Sequence, residues 1–150
     1  MGAHVRARPW SGQLRSFYSV AQHSVLVSEL CEPEDALDGL LHDGSEAFLG
    51  DLASPLKHSP HLAGFRRIEA TVDRAIAERF GTRVGKPTSV AHADMVAAAM
   101  ELRDLVLSGE CSSTLPTDLP PEPLVPWSWQ IARDRFLERF AVLQTLRSAR

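Results

Sequence analysis

Apolar residues return every three or four positions in successive stretches of this chain, and no stretch alternates apolar with polar residues at a period of two. That pattern selects helices packed on helices over any sheet. Ser19-Val20-Ala21-Gln22 reads as a capping box, so a helix is expected from there to about Cys31, with Val20, His23, Val27 and Leu30 on its inward face. Pro33 suits the first position of a second helix, whose buried face is Ala36, Leu37, Leu40 and Leu41 and which ends at His42-Asp43 before Gly44. The short link between them makes an antiparallel pair. Ser54-Pro55 has the form of a helix start, and His58-Ser59-Pro60 is a break. A long helix is expected over about Leu62 to Phe80, with Leu62, Phe65, Val72, Ile76 and Phe80 inward, Gly81 closing it, and Glu69, Asp73, Arg74 and Glu78 in solvent. An alanine-rich helix follows from about Val90 to Leu107. Pro116, Pro120, Pro121, Pro123 and Pro126 make residues 109 to 126 an irregular connector. A final helix over about Trp129 to Arg147 turns Trp129, Ala132, Phe136, Phe140 and Leu143 to one side. The expected architecture is an all-α, single-domain bundle of five or six helices spanning 19 to 150, preceded by an arginine-rich arm over 1 to 18.

A chain of 150 residues with 44% hydrophobic content can build one real core. Its formal charge of -3 argues against a nucleic-acid polymer as partner, while leaving room for a local pocket that takes a small phosphate. Two cysteines, Cys31 and Cys111, make neither a disulfide framework nor a zinc knuckle. No apolar run has the length of a membrane span and no signal-peptide core opens the chain, so a cytoplasmic protein is expected.

The chemistry-bearing stretch is Leu40-Leu41-His42-Asp43-Gly44-Ser45-Glu46. Imidazole nitrogen and carboxylate oxygen both bind divalent metals, and this pair leaves its helix where the backbone is no longer committed. Nineteen residues before His42, His23 lies on an inward helical face, a spacing that lets the two rings meet across the hairpin. Asp94 stands among Val90, Ala91, Ala97 and Ala98, where a carboxylate is costly unless a metal or a neighbouring arginine pairs with it. His58 and His61 read as surface residues, and His92 points away from Asp94.

The order His23, His42-Asp43, Asp94 resembles the HD-domain metal-dependent phosphohydrolases. The phrases Tyr18-Ser19-Val20-Ala21-Gln22-His23-Ser24, Leu40 to Ala47, Gly50-Asp51-Leu52-Ala53-Ser54-Pro55-Leu56-Lys57 and Ala93-Asp94 with Glu101 look like the bacterial 5′-deoxynucleotidase branch, and phage deoxynucleoside triphosphohydrolases share the order. The resemblance covers about residues 8 to 107. It implies that His23, His42, Asp43 and Asp94 hold one divalent ion, with Mn, Fe, Co, Zn and Mg all admissible for a mixed nitrogen and oxygen set. It further implies catalytic roles for Glu46, as the base that orients water, and Asp51, as its partner or as the acid to the leaving oxygen; capping and loop bonding are the plainer readings of both. Ser54 and Lys57 would meet phosphate, and Arg8, Trp10 and Arg15 would bring a guanidinium and a ring to the substrate from the arm.

Hydrolysis of phosphate esters in small nucleotides, deoxyribonucleoside 5′-monophosphates first, is what the resemblance implies. Removal of triphosphate from a deoxynucleoside triphosphate uses the same tetrad. A non-catalytic nucleotide sensor or metal-stabilised interaction module would keep the ligands for stability, although it would not need Glu46 and Asp51. A homo-oligomer is also expected by resemblance.

Overall fold

The computed structural model describes residues 16–50, 52, 54–106 and 119–149. Among the described residues five helices build the bundle: α1 (Val20–Leu30), α2 (Ala36–Leu41), α5 (Ala63–Phe80), α6 (Thr88–Glu101) and α7 (Trp129–Ser148). Two single-turn pieces, α3 (Glu46–Leu49) and α4 (Ser54–Lys57), lie between α2 and α5, and there is no strand among the described residues. The all-α expectation therefore holds. No described helix is long and apolar enough to cross a membrane.

The centre of the bundle is α1, which packs against α2, α6 and α7. A one-sided apolar stripe was expected, yet Ala21, Gln22, Ser24, Val25 and Ser28 are buried beside Val20, His23 and Val27. Three neighbours leave such a helix little solvated face beyond Glu29, so its buried polar side chains must be satisfied from within. Ser28 does this for three helices at once. Its hydroxyl donates to the Ala36 carbonyl at 2.8 Å and accepts from Arg139 Nε at 3.0 Å, while Arg139 Nη2 reaches the Ser28 carbonyl at 2.9 Å.

Half of the expected capping box forms. The Ser19 hydroxyl accepts from the Gln22 amide at 3.1 Å, capping α1. The Gln22 side chain turns instead to the connector, donating to the Val125 carbonyl at 2.9 Å and accepting from the Trp127 amide at 2.8 Å. The connector is also held from α6. That helix passes at Glu101 into a wider π-type turn, Leu102–Val106, where Arg103 donates to the Pro120 and Glu122 carbonyls and Asp104 accepts from the Leu124 amide. Described from residue 119 onward, the irregular segment is thus strapped across α1 and α6 next to His23.

Pro33 begins a 3-10 turn, Pro33–Asp35, and α2 follows it with Ala36, Leu37, Leu40 and Leu41 buried as expected. Ser28 and Cys31 near the end of α1 meet Ala36 and Gly39 near the start of α2, and His23 meets His42 at the other ends, so the pair is antiparallel. The approach is close: a Cβ on Gly39 would lie 2.9 Å from Cys31 Sγ and 3.2 Å from Ser28 Cα. Gly44 serves a similar purpose, since a Cβ there would stand 3.0 Å from Ile76 Cδ1 of α5.

Three inward assignments need correction. In α5, Ile76 and Ala77 are buried while Val72 and Phe80 pack partly on the core; Leu62 and Phe65 are half-exposed because the chain lies against only part of the bundle there. Gly81 closes this helix in the left-handed region at φ 68, and Arg147 of α7 donates to the Phe80 carbonyl at 3.1 Å. In α7, Ala132 and Leu143 are buried and Phe136 and Phe140 pack on the core, with Phe140 edge-on to Phe80 at 5.5 Å between ring centres. Trp129 is 51% exposed, however, with Arg133 over its ring. Trp127 takes the inward place two residues earlier, because the strap delivers it to the core before the helix begins.

Candidate metal centre

Antiparallel pairing of α1 and α2 brings the two imidazoles together, with His23 Nε2 and His42 Nε2 at 3.3 Å. Asp43, the residue after His42, leaves the last turn of α2 with Oδ1 at 3.2 Å from His42 Nε2 and Oδ2 at 3.7 Å from His23 Nε2. One ligand atom from each of His23, His42 and Asp43 lies within 4.8 Å of the others, an arrangement that could hold a metal ion. Asp94 comes from α6: its Oδ1 stands 3.1 Å from His23 Nε2 and 3.6 Å from His42 Nε2. Two nitrogens converging with carboxylate oxygens suit a first-row divalent cation, and the set does not select one ion.

The far nitrogen of each ring is already engaged. His42 Nδ1 donates to the Gly39 carbonyl at 2.7 Å, and His23 Nδ1 to Glu101 Oε1 at 2.6 Å. Both rings therefore present Nε2 to the centre. Burial works against charge on His42, but Asp43 and then Asp94 outweigh it and push its pKa up to about 9. Burial likewise opposes ionisation of Asp94, yet contacts with His23, His42 and Lys86 hold its carboxyl well below the usual range. A metal entering this set must displace the imidazole proton, so uptake releases protons.

Asp94 sits differently from its expected small apolar surround. Val90 and Ala97 are fully buried, but Ala91 is exposed and the Asp94 side chain is 27% exposed. The helix thus offers Asp94 at the rim of the core. Its Oδ2 takes Lys86 Nζ at 2.6 Å, so a lysine, not the arginine considered from sequence, partners the second oxygen. His92 is exposed, as are His58 and His61.

Glu46 is buried in the first turn of α3, one turn past Asp43, and its amide donates to the Asp43 carbonyl at 3.1 Å. Lys57 Nζ is held by Glu69 at 2.6 Å. Its ammonium, though disfavoured by burial, is stabilised first by Glu69 and further by Glu46 and Asp43. Asp51, Arg8, Trp10 and Arg15 lie outside the described residues, as does the Ser54 side chain, while the backbone of Ser54 opens α4.

Glu69 and Asp73, expected in solvent, are instead half-buried. Both face the α3–α4 side of the centre. Asp73 bonds Ser45, and burial, assisted by Glu69 and Asp43, raises its pKa. Arg74 and Glu78 are exposed as expected. Asp73 also lines a cavity of about 140 Å³ with His42, Ile76, Arg83 and Lys86. Glu101, picked out from the sequence with Asp94, lies two turns along the same helix and is buried against His23. Nothing in the residue pattern around Gly85-Lys86-Pro87 announces that Lys86 folds back onto Asp94, eight residues ahead.

No sequence profile of a described protein family matches this chain. It is 32% identical over 109 residues to an uncharacterized protein of Rhodobacter capsulatus, an alignment covering 64% of this chain and 55% of that one. It is 36% identical over 141 residues to the uncharacterized protein YfdR of Escherichia coli K12, covering 92% of this chain and 78% of YfdR. Identity of that extent over nearly the whole helical bundle means that this chain belongs to the YfdR family.

Proposed function

We propose that the protein is a metal-dependent phosphohydrolase of the HD-domain kind acting on small nucleotides, with deoxyribonucleoside 5′-monophosphates as the first substrate class. The observation that carries the reading is the convergence of His23, His42 and Asp43 ligand atoms within 4.8 Å, with Asp94 Oδ1 touching both imidazoles. In this reading those four side chains hold one divalent ion. When bound, such an ion polarises a phosphoryl oxygen and acidifies water. The protein's own share is orientation and proton transfer. Glu46, buried one turn from Asp43, accepts the proton of the attacking water. Asp51 partners Glu46 or serves as acid to the leaving oxygen, and Arg8 (or Arg15), Trp10 and Ser54 contact substrate, as the resemblance implies. Lys57 would exchange Glu69 for a phosphate oxygen.

The cations described near the centre are already paired. Among the described residues, Lys57 pairs with Glu69, Lys86 with Asp94, and Arg83 with Asp35 and Asp38. A triphosphate would need cations beyond these. A homo-oligomer belongs to the proposal too, with the half-exposed Trp129 as one contact available for it.

The test is a screen of purified protein against ribo- and deoxyribonucleoside mono- and triphosphates with each divalent metal, products identified. Inorganic phosphate from a deoxynucleoside monophosphate is expected; release of triphosphate would select the other hydrolase. Glu46→Ala should retain fold and metal while turnover drops about a hundredfold or more, the usual scale for losing a general base. Metal-dependent nucleotide binding with no turnover in the wild type would replace the enzyme reading with a sensor.

A further inference from the structure

Glu101 and His23 are both 0% exposed, and their side chains meet at 2.6 Å across the α1–α6 interface. A carboxylate in such a place is costly unless a specific partner accepts its charge. One partner is a ring whose other nitrogen, Nε2, faces Asp94 Oδ1 at 3.1 Å, His42 Nε2 at 3.3 Å and Asp43 Oδ2 at 3.7 Å. Glu101 is therefore joined to the candidate centre through a single imidazole. His42 offers a comparison within the same site, because its Nδ1 meets a neutral carbonyl, that of Gly39. The two rings are thus held in one tautomer by acceptors of different charge.

We infer that Glu101 is a positioning residue for a divalent metal: it locks His23 with Nδ1 protonated and Nε2 directed at the ion. This rests on the metal reading given above and adds a residue outside the ligand set. A carboxylate behind a ligating histidine fixes ring orientation and raises ligand basicity, and its loss lowers metal affinity about 10–100-fold. Here the carboxylate also brings a further negative charge near the dication without occupying a coordination position. The π-type turn beginning at Leu102, directly after Glu101, agrees with a local demand on this point of α6, since such turns recur at functional sites. A purely structural role, an ion pair stapling α1 to α6, makes a different prediction: removing it would lower the stability of metal-free protein and leave metal affinity alone.

The experiment compares wild type with Glu101→Gln, which keeps shape and an acceptor oxygen but removes the charge. Affinity for Zn²⁺ and Co²⁺ is measured by chelator competition, and thermal unfolding is followed in excess chelator. The expected result is a metal dissociation constant raised about 10–100-fold, with metal-free unfolding little changed. Equal affinities would overturn the inference, as would an affinity loss only in proportion to lost metal-free stability. Should Glu101→Gln fail to fold, the wild type loaded with Zn²⁺ still decides through ¹⁵N-histidine NMR. His23 must show a protonated Nδ1 strongly shifted by a carboxylate and a metal-bound Nε2; coordination through Nδ1 would overturn the inference. Wild type that takes up no divalent metal would refute the metal reading itself, an outcome visible before the variant is made.

Discussion

Gly39→Ala tests whether the closeness of α1 and α2 creates the centre. An added Cβ would lie 2.9 Å from Cys31 Sγ and 3.2 Å from Ser28 Cα, where ordinary contacts fall at about 3.5–4.0 Å. The sulfur is on a short buried side chain and Ser28 Cα is backbone, so relief requires the helices to part by roughly half an ångström or more. Overpacking of this kind costs about 1–3 kcal/mol, against which alanine recovers up to about 1 kcal/mol of helix propensity. The net loss of about 0–2 kcal/mol should lower Tm by a few degrees, at roughly 2–4 °C per kcal/mol for a domain of this size. The larger effect is at the far end of the pair. His42 hangs from the Gly39 carbonyl at 2.7 Å and faces His23 at 3.3 Å, whereas metal–ligand distances tolerate only about 0.2 Å. Metal affinity should fall at least about tenfold. Gly64→Ala is the control: a Cβ there meets nothing within 4 Å, so propensity alone acts and Tm should rise slightly. The assays are thermal unfolding with and without chelator, and chelator competition for Zn²⁺. If Gly39→Ala behaves as Gly64→Ala does, with raised Tm and unaltered metal affinity, the reasoning is refuted.

On the metal reading, Asp43→Ala should lose the bound ion, because two neutral imidazoles and one remaining carboxylate hold a dication poorly; elemental analysis finding full occupancy would remove Asp43 from the ligand set. The acid limb of stability should depend on the loop between α5 and α6. Asp35 is held below its usual carboxyl value by the Ser89 hydroxyl and then by the Arg83 guanidinium. A depressed folded pKa contributes stability that is full above the unfolded value of about 3.8 and is lost as pH falls further. Arg83→Ala should therefore melt below wild type at pH 7, with the gap narrowing below about pH 4; a gap constant from pH 7 to pH 3 would show that the ion pair is not its source.

Periodicity and punctuation in the chain were enough to determine the helices. Gly81 ended one, Ser19 capped another, and the prolines from Pro120 to Pro126 kept residues 119–128 irregular, because these effects act within a turn or two of the residue concerned. The pair His42-Asp43 and the inward-facing His23 were legible for the same reason: a hairpin of two short helices leaves few ways for their side chains to meet. Partnerships formed at long range were not legible. Gln22 looked like half of a capping box and proved to hold a strap more than a hundred residues away; Asp73 and Glu69 looked solvated and face the centre. Asp94 looked enclosed and stands at the rim, where Lys86 reaches it. Each of these side chains had a local pattern compatible with two environments. The choice depended on which helix lay opposite, and that is decided only when the apolar faces of α1, α2, α6 and α7 have closed on one another.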